Sequence, residues 1–146
     1  HGPVGRRICV EGPYGVLTGA RRTRPKVLFI AGGIGITPLR ALLEALPAKT
    51  GDLTLLYRVR NHDDIVFRDE LETLARERGA RIHYLLGRRD AEVDPLGASE
   101  LDRLVPDIVE RDVYLCGPVP MLRHVEEYLE RLGVYSAQVQ AEHFAY

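Results

Sequence analysis

A cluster of glycines after an apolar run is the stretch with the clearest chemical potential. The apolar residues 27–31 lead into three glycines, Gly32, Gly33 and Gly35. Glycines let the backbone approach a ligand closely, and the amides at the start of a helix favour an anion. Thr37 is predicted to cap the helix that follows, and Pro38 suits its first turn, where a missing N–H costs nothing. The cluster therefore predicts a site for a diphosphate group.

This cluster is not the full Gly-x-Gly-x-x-Gly fingerprint of dinucleotide-binding folds, since Pro38 stands where the third glycine would be. A strand–helix turn that binds nothing would have the same local sequence. The support for binding comes from residues further along the chain.

Basic, aromatic and thiol side chains follow the other predicted strands. The strand over 53–57 ends at Tyr57, and Arg58 and Arg60 follow it. The strand over 81–86 is followed by Arg88 and Arg89. The strand over 112–116 ends at Cys116, and Gly117 and Pro118 follow it. Ligands of parallel sheets bind where such strand ends meet. The strand over 53–57 ends without the carboxylate that would bind an NAD ribose, and its arginines favour a 2′-phosphate instead. Tyr57 is expected to stack on an adenine, although solvated arginines would give the same pattern.

No residues with the spacing of an acid–base pair, a nucleophile or a metal site accompany these groups. The five histidines show no ligand spacing, and Cys9 and Cys116 are too far apart for a zinc site. Neither a P-loop nor a Tyr-x-x-x-Lys pair occurs. The reaction centre is therefore expected to come from a cofactor, with no metal bound by the chain.

Predicted strands and helices alternate along almost the whole chain. Helical patterns follow the strands over 37–46, 67–78, 98–105 and 121–132, and a last strand is predicted over 138–142. This alternation predicts an α/β fold, with an open, mostly parallel five-stranded sheet and helices on both faces.

The length and net charge of the chain limit the kinds of molecule that it is expected to bind. The 146 residues suffice for one domain, and 20 basic against 21 acidic residues leave a formal charge of −1, so nothing favours nucleic acid. No apolar stretch reaches the roughly 20 residues needed to span a bilayer, and no signal-peptide pattern is present. Because the sequence opens at His1 without an initiator methionine, we expect a fragment of a longer protein.

Five segments together resemble the pyridine-nucleotide half of the ferredoxin–NADP reductase superfamily, and most of all its ferric reductase and NADPH oxidase-like branch. They are Glu11–Gly15, Gly32–Pro38, Tyr57 and Arg60 ahead of Asp64–Phe67, Cys116–Pro118 with Met121, and a terminal aromatic. The resemblance implies a Rossmann-like sheet of order 3-2-1-4-5. Residues 25–146 would form the NAD(P)H-binding domain, and residues 1–24 would be a tail and seam segment from an FAD-binding barrel.

The resemblance also implies roles for individual residues. Gly33, Gly35 and Thr37 would hold the pyrophosphate and ribose, and Arg60 and Arg88 would bind the adenosine end with any 2′-phosphate. Two residues would be catalytic: Cys116 against the nicotinamide and Tyr146 as the movable cover of the flavin, with Phe144 as the second candidate for that cover. The other residues expected at the nucleotide are Tyr14, Gly32, Pro38, Tyr57, Arg58, Arg89, Gly117, Pro118 and Met121.

The implied cofactors are NADP(H), with NAD(H) as the alternative, and FAD in the full-length protein. The barrel motif Arg-x-Tyr-Ser/Thr is absent from the chain, so the FAD-binding domain of the same protein is an expected partner. Electrons would pass onward to ferric iron, an iron–sulfur centre or a haem-bearing membrane domain. The fragment would be soluble and lie at the cytoplasmic face, with a parent that can be an integral membrane protein.

The same glycine pattern would also occur in proteins of two other functional classes. A non-catalytic module that senses pyridine nucleotide would need the same turn and arginines. A methyltransferase would also use a glycine-rich turn, but it would prefer an acidic residue where the strand over 53–57 ends in arginine.

Overall fold

Six strands form one sheet in the computed structural model, which describes residues 6–8, 17–87 and 95–144, with the backbone alone at 6–8 and 144. The strands are β1 (Arg6–Ile8), β2 (Val27–Gly32), β3 (Leu53–Val59), β4 (Arg81–Leu86), β5 (Asp112–Pro118) and β6 (Val139–Phe144). Their order is β1-β6-β5-β2-β3-β4, and every neighbouring pair is parallel. Strands β2 to β6 therefore have the predicted order 3-2-1-4-5.

The first strand is an addition to the predicted sheet. β1 pairs with β6, with Arg6 opposite Ala141 and Ile8 opposite His143. The sequence indicates a strand over Ile8–Glu11 but does not give it a place in the sheet. The boundary at residue 24 between a seam segment and the nucleotide-binding domain stays a prediction.

Four helices cover the two faces of the sheet: α1 (Ile36–Ala45), α2 (Arg68–Arg78), α3 (Ala98–Leu104) and α4 (Val119–Arg131). Successive side chains of a strand point to opposite faces, so each strand serves both layers. Phe29 of β2 packs in the layer with α1 and α2, whereas Ile30 packs in the layer with α3 and α4. Because both faces are covered, β2 is buried along its whole length, as the continuous apolar run predicts.

The start of α1 differs from the prediction. Residues Gly33–Gly35 form a 3₁₀ turn, the helix begins at Ile36, and Gly35 precedes it without a side-chain cap. Thr37 therefore lies inside the first turn, exposed, and the prediction that it caps the helix is wrong. The reason is that the chain already winds at Gly33–Gly35, where the Ile36 N–H donates to the carbonyl oxygen of Gly33. Pro38 lies in the first turn, as predicted.

The edge of the sheet opposite the glycine turn is held by buried charge. The Arg111 guanidinium donates to the carbonyl oxygens of Val27 and Asp52, at 2.9 and 3.0 Å, and to the Asp107 carboxylate at 2.9 Å. Burial opposes ionisation of Asp107, but the hydrogen bonds from Arg111 and Lys26 outweigh it, so the pKa of Asp107 is lowered. This network ties the starts of β2 and β3 to the turn before β5.

Replacing Arg111 with Ala is expected to lower the free energy of unfolding by about 3 kcal/mol, because a carboxylate and two carbonyls lose their donor. Chemical denaturation measures the change. Arg131→Ala is the matched control, since its ion pair with Glu127 is exposed and contributes little. Equal effects of the two substitutions would contradict the structural role of Arg111.

Candidate functional site

The glycine turn lies at the carboxyl end of β2, between the ends of β3 and β5. Gly33 has a φ of +54°, and a Cβ placed there would meet no atom within 4 Å. Gly33 and Ile34 are exposed, so this part of the turn is open to a ligand. The positive φ and the open space together fit a backbone that a phosphate approaches closely.

Gly32 and Gly35 are required for a different reason, which is close packing. A Cβ on Gly35 would overlap the carbonyl oxygen of Cys116, and a Cβ on Gly32 would overlap the Met121 sulfur. A Cβ on Gly117 would lie only 2.7 Å from the Met121 methyl carbon. The ends of β2 and β5 therefore approach each other as closely as glycine allows.

Two helices begin at this junction, on opposite faces of the sheet. α1 follows the end of β2 and α4 follows the end of β5, and neither has an acidic residue in its first turn. The first amides of a helix lack intrahelical partners, and its dipole places positive charge at that end. The site is also the switch point of the sheet, because the strand order reverses between β2 and β5. The geometry thus fits the diphosphate of a dinucleotide.

Cys116 and Met121 are both buried in the structure. The Cys116 thiol is fully buried in the layer beneath α1, and the backbone of this residue is what contacts Gly35. Met121 is a core residue, 5% exposed, that packs across Gly32 and Gly117. Its contact with a nucleotide stays a prediction. Contact between Cys116 and a nicotinamide stays a prediction.

Tyr57 does not present its ring to a ligand. It is fully buried between the sheet and α2, and its hydroxyl accepts a hydrogen bond from the Val66 N–H at 3.1 Å. Burial raises the pKa of the phenol, the Val66 amide opposes that shift, and the charge of Asp64 adds to it. The prediction that Tyr57 stacks on an adenine is therefore corrected: both of its faces are already packed.

The remaining predicted residues divide into two groups. Arg60 is exposed just after β3, and Arg58, half-buried, lies opposite Gly32 in the β2–β3 register, so both belong to the same edge as the glycine turn. The backbone of Phe144 lies opposite Pro118, next to the site. Four residues lie outside the described residues: Tyr14, Arg88, Arg89 and Tyr146.

Residues 61–67, which we call the adenosine-side loop, lie at the same edge. Asp64–Phe67 is part of the family resemblance, but the sequence indicates no role for the residues of this loop. The loop opens with a capping box between Asn61 and Asp64, a pairing that the Asn-x-x-Asp spacing could have indicated. It closes at Phe67, whose φ of +60° has no sequence signal. The Phe67 ring lies 5.4 Å from the Arg40 guanidinium carbon of α1.

A separate cavity of about 590 Å³ lies between the outer side of α4 and the start of β6. Its lining includes Glu126, Glu127 and Glu130, with Arg123 as the basic residue. Three carboxylates disfavour a diphosphate. The cavity reaches Val139 at the start of β6, whereas the glycine turn lies at the carboxyl end of β2, so the glycine turn is the better candidate for a diphosphate site.

Comparison with known proteins identifies the family of the chain. Residues 29–127 match the family described as the oxidoreductase NAD-binding domain. The chain belongs to this family, within the ferredoxin–NADP reductase superfamily of flavin-linked oxidoreductases.

Three similar proteins illustrate the family. The ferredoxin reductase component of a 3-ketosteroid-9-alpha-monooxygenase from Mycobacterium tuberculosis is 34% identical, over 99% of this chain and 40% of that protein. The glycine betaine monooxygenase reductase subunit of Chromohalobacter salexigens is 30% identical, over 97% and 41%. The flavohem-like FAD/NAD-binding domain of nitric oxide dioxygenase from Vibrio cholerae has a TM-score of 0.64 at 26% identity, over 84% of this chain and 52% of that one.

The chain spans about two fifths of the length of the two reductases. Within the part of the chain that the structure describes, no helix combines the length and apolar character that a bilayer crossing requires.

Substitution of Gly33 by Ala is expected to weaken nucleotide binding at a modest cost in stability. A residue with a Cβ pays about 1–2 kcal/mol in left-handed backbone, and the methyl group would stand where the phosphate approaches. Gly51→Ala is the control, because Gly51 also has a positive φ and open space but lies in the turn before β3, at the opposite edge. Calorimetry with NADPH should show a loss for Gly33→Ala alone; a similar loss for Gly51→Ala would contradict the site.

The burial of Cys116 predicts that its thiol reacts slowly with a thiol reagent in the folded chain. In a Cys9→Ser variant, which leaves Cys116 as the sole cysteine, an aromatic disulfide reagent should react slowly with the folded chain and rapidly in denaturant. Equal rates in the two conditions would show that the thiol is open to solvent.

Proposed function

We propose that the chain is the NAD(P)H-binding domain of a flavin-dependent reductase, with an FAD-binding domain elsewhere in the same protein. The observation that carries the proposal is the open, positive-φ Gly33 at the switch point, between two helix starts without carboxylates. When bound, the nicotinamide supplies a hydride that the flavin accepts, and the two electrons then leave one at a time.

The contribution of the chain to this reaction is positioning. The turn at Gly33–Gly35 fixes the pyrophosphate, and the backbone of Cys116 and Gly117 fixes how closely the nicotinamide end can approach β5. Tyr146 would cover the flavin until the nicotinamide displaces it, with Phe144 as the second candidate. Together these residues would exclude water and set the distance of transfer. Because the step transfers a hydride, it needs no acid or base from the chain.

The downstream acceptor is proposed from the relatives. Two of them are named as reductase parts of monooxygenases, which supports transfer to an oxygenase through an iron–sulfur or haem centre. A ferric reductase or NADPH oxidase-like parent, with a haem-bearing membrane domain and this chain at the cytoplasmic face, rests on the sequence resemblance alone.

Arg60 and Arg88 are proposed to select NADPH over NADH. Guanidinium groups bind a phosphate through paired, charge-assisted hydrogen bonds, and Arg60 is exposed at the edge where the adenosine end would lie. Without these contacts the same site would serve NADH.

Calorimetric titration with 2′-phospho-AMP and with AMP tests this selection. The chain should prefer 2′-phospho-AMP, and Arg60→Ala or Arg88→Ala should each weaken that ligand about tenfold or more while sparing AMP. Arg131→Ala, at the far end of α4, is the control and should change neither. Equal affinity for the two ligands would indicate that the site serves NADH instead of NADPH. Absence of binding by either ligand would contradict the proposed site.

Reconstitution with the FAD-binding domain of the parent separates a reductase from a sensing module. A reductase should bleach the flavin on addition of NADPH under anaerobic conditions. Nucleotide binding without flavin reduction would favour the sensor.

A further inference from the structure

The buried Tyr57 hydroxyl links the core to the adenosine-side loop. Its ring has no exposed surface, yet its oxygen accepts from the Val66 amide at 3.1 Å, and Val66 itself is 46% exposed. The bond therefore runs from the rigid layer under α2 to a loop on the surface. A phenylalanine would fill the same space but would leave this loop amide without its acceptor.

The same loop is held at both of its ends. At its start, the Asp64 carboxylate accepts from the Asn61 N–H at 3.1 Å. At its end, the Phe67 ring lies against Arg40, and the Arg40 guanidinium donates to Glu70 of α2 at 2.6 Å. Because Arg40 belongs to α1, these contacts tie the loop to the helix that begins at the glycine turn.

Phe67 carries strain that such contacts must offset. Its φ of +60° is the sole positive value among the described residues other than glycine. Left-handed backbone is unfavourable for a bulky side chain and persists when surrounding contacts determine it. The loop is thus held in one conformation, in a part of the chain where flexible connections are common.

The loop lies beside the adenosine half of the proposed nucleotide site. It follows Arg60 directly, and Arg58 pairs with Gly32 in the register of β2 and β3. In parallel sheets of this kind the ribose of the adenosine lies at the end of the strand next to the glycine turn, which here is β3.

We propose that Tyr57 is a positioning residue whose hydroxyl holds the adenosine-side loop as a preformed wall for the adenosine half of the nucleotide. This inference rests on the proposed function, because it assigns that half to the end of β3. A wall already in place removes the ordering cost that a mobile loop would add to binding.

The test compares Tyr57→Phe with Tyr114→Phe. Tyr114 is the matched control: it is 1% exposed, packs in the same apolar layer, and donates its hydroxyl to one backbone group, the Thr18 carbonyl at 3.2 Å. Titration with AMP should show affinity reduced about three- to tenfold by Tyr57→Phe and unchanged by Tyr114→Phe, although each variant loses one part-buried hydrogen bond of the tyrosine hydroxyl.

Amide hydrogen exchange at Val66 gives a readout that does not depend on nucleotide. Exchange should be slow in the unsubstituted chain and in Tyr114→Phe and markedly faster in Tyr57→Phe. Equal AMP affinity in the two variants, or unchanged exchange at Val66, would overturn the positioning role while leaving the proposed function intact. Failure of the unsubstituted chain to bind AMP would instead contradict the proposed function, and this inference with it.

Discussion

The close approach of β2 and β5 at their carboxyl ends is the constraint on which the site depends. Gly35 rests against the Cys116 carbonyl, and Met121 packs over Gly32 and Gly117, so side chains cannot separate the two strands there. The strand order reverses at the same place, and the helices that follow leave on opposite faces. The direct result is a junction at which two helices begin, with no carboxylates in their first turns.

The amino ends and the carboxyl ends of the strands differ in how their charged residues are used. At the edge where the strands begin, Arg111 and Asp112 hold the connections: the Asp112 carboxylate accepts from the backbone and hydroxyl of Thr23 at 2.6 and 2.9 Å. At the other edge, the backbone of Gly33 is exposed and open. Buried charge therefore stabilises the fold at the amino ends of the strands, whereas at the carboxyl ends the Gly33 backbone and the Arg60 side chain are exposed.

Much of the fold was predictable because both sheet faces are covered, which makes the central strands continuous apolar runs. The glycine turn was equally visible, since glycine is favoured at the positive φ of Gly33 and is required by the backbone contact at Gly35. The order of the strands came from resemblance to a family, since alternation alone does not fix it.

Other features had no signal in the sequence. The sequence is the same whether an aromatic side chain at a strand end faces a ligand or the core. The sequence therefore predicts that Tyr57 stacks on an adenine, whereas in the structure its ring packs under α2. The start of α1 moved ahead of Thr37 because the glycines wind into a 3₁₀ turn. The left-handed Phe67 depends on contacts with Arg40 and on the loop before it, which are made only after folding.

The central claim is that a pyridine nucleotide binds at the glycine turn between the ends of β2 and β5. Titration of the ¹⁵N-labelled chain with NADPH, followed by amide chemical shifts, tests it most directly. The account predicts that the largest changes fall on Gly33, Ile34, Gly35 and Gly117. Changes concentrated instead around Glu127 and Tyr135, in the cavity beside α4, would contradict it.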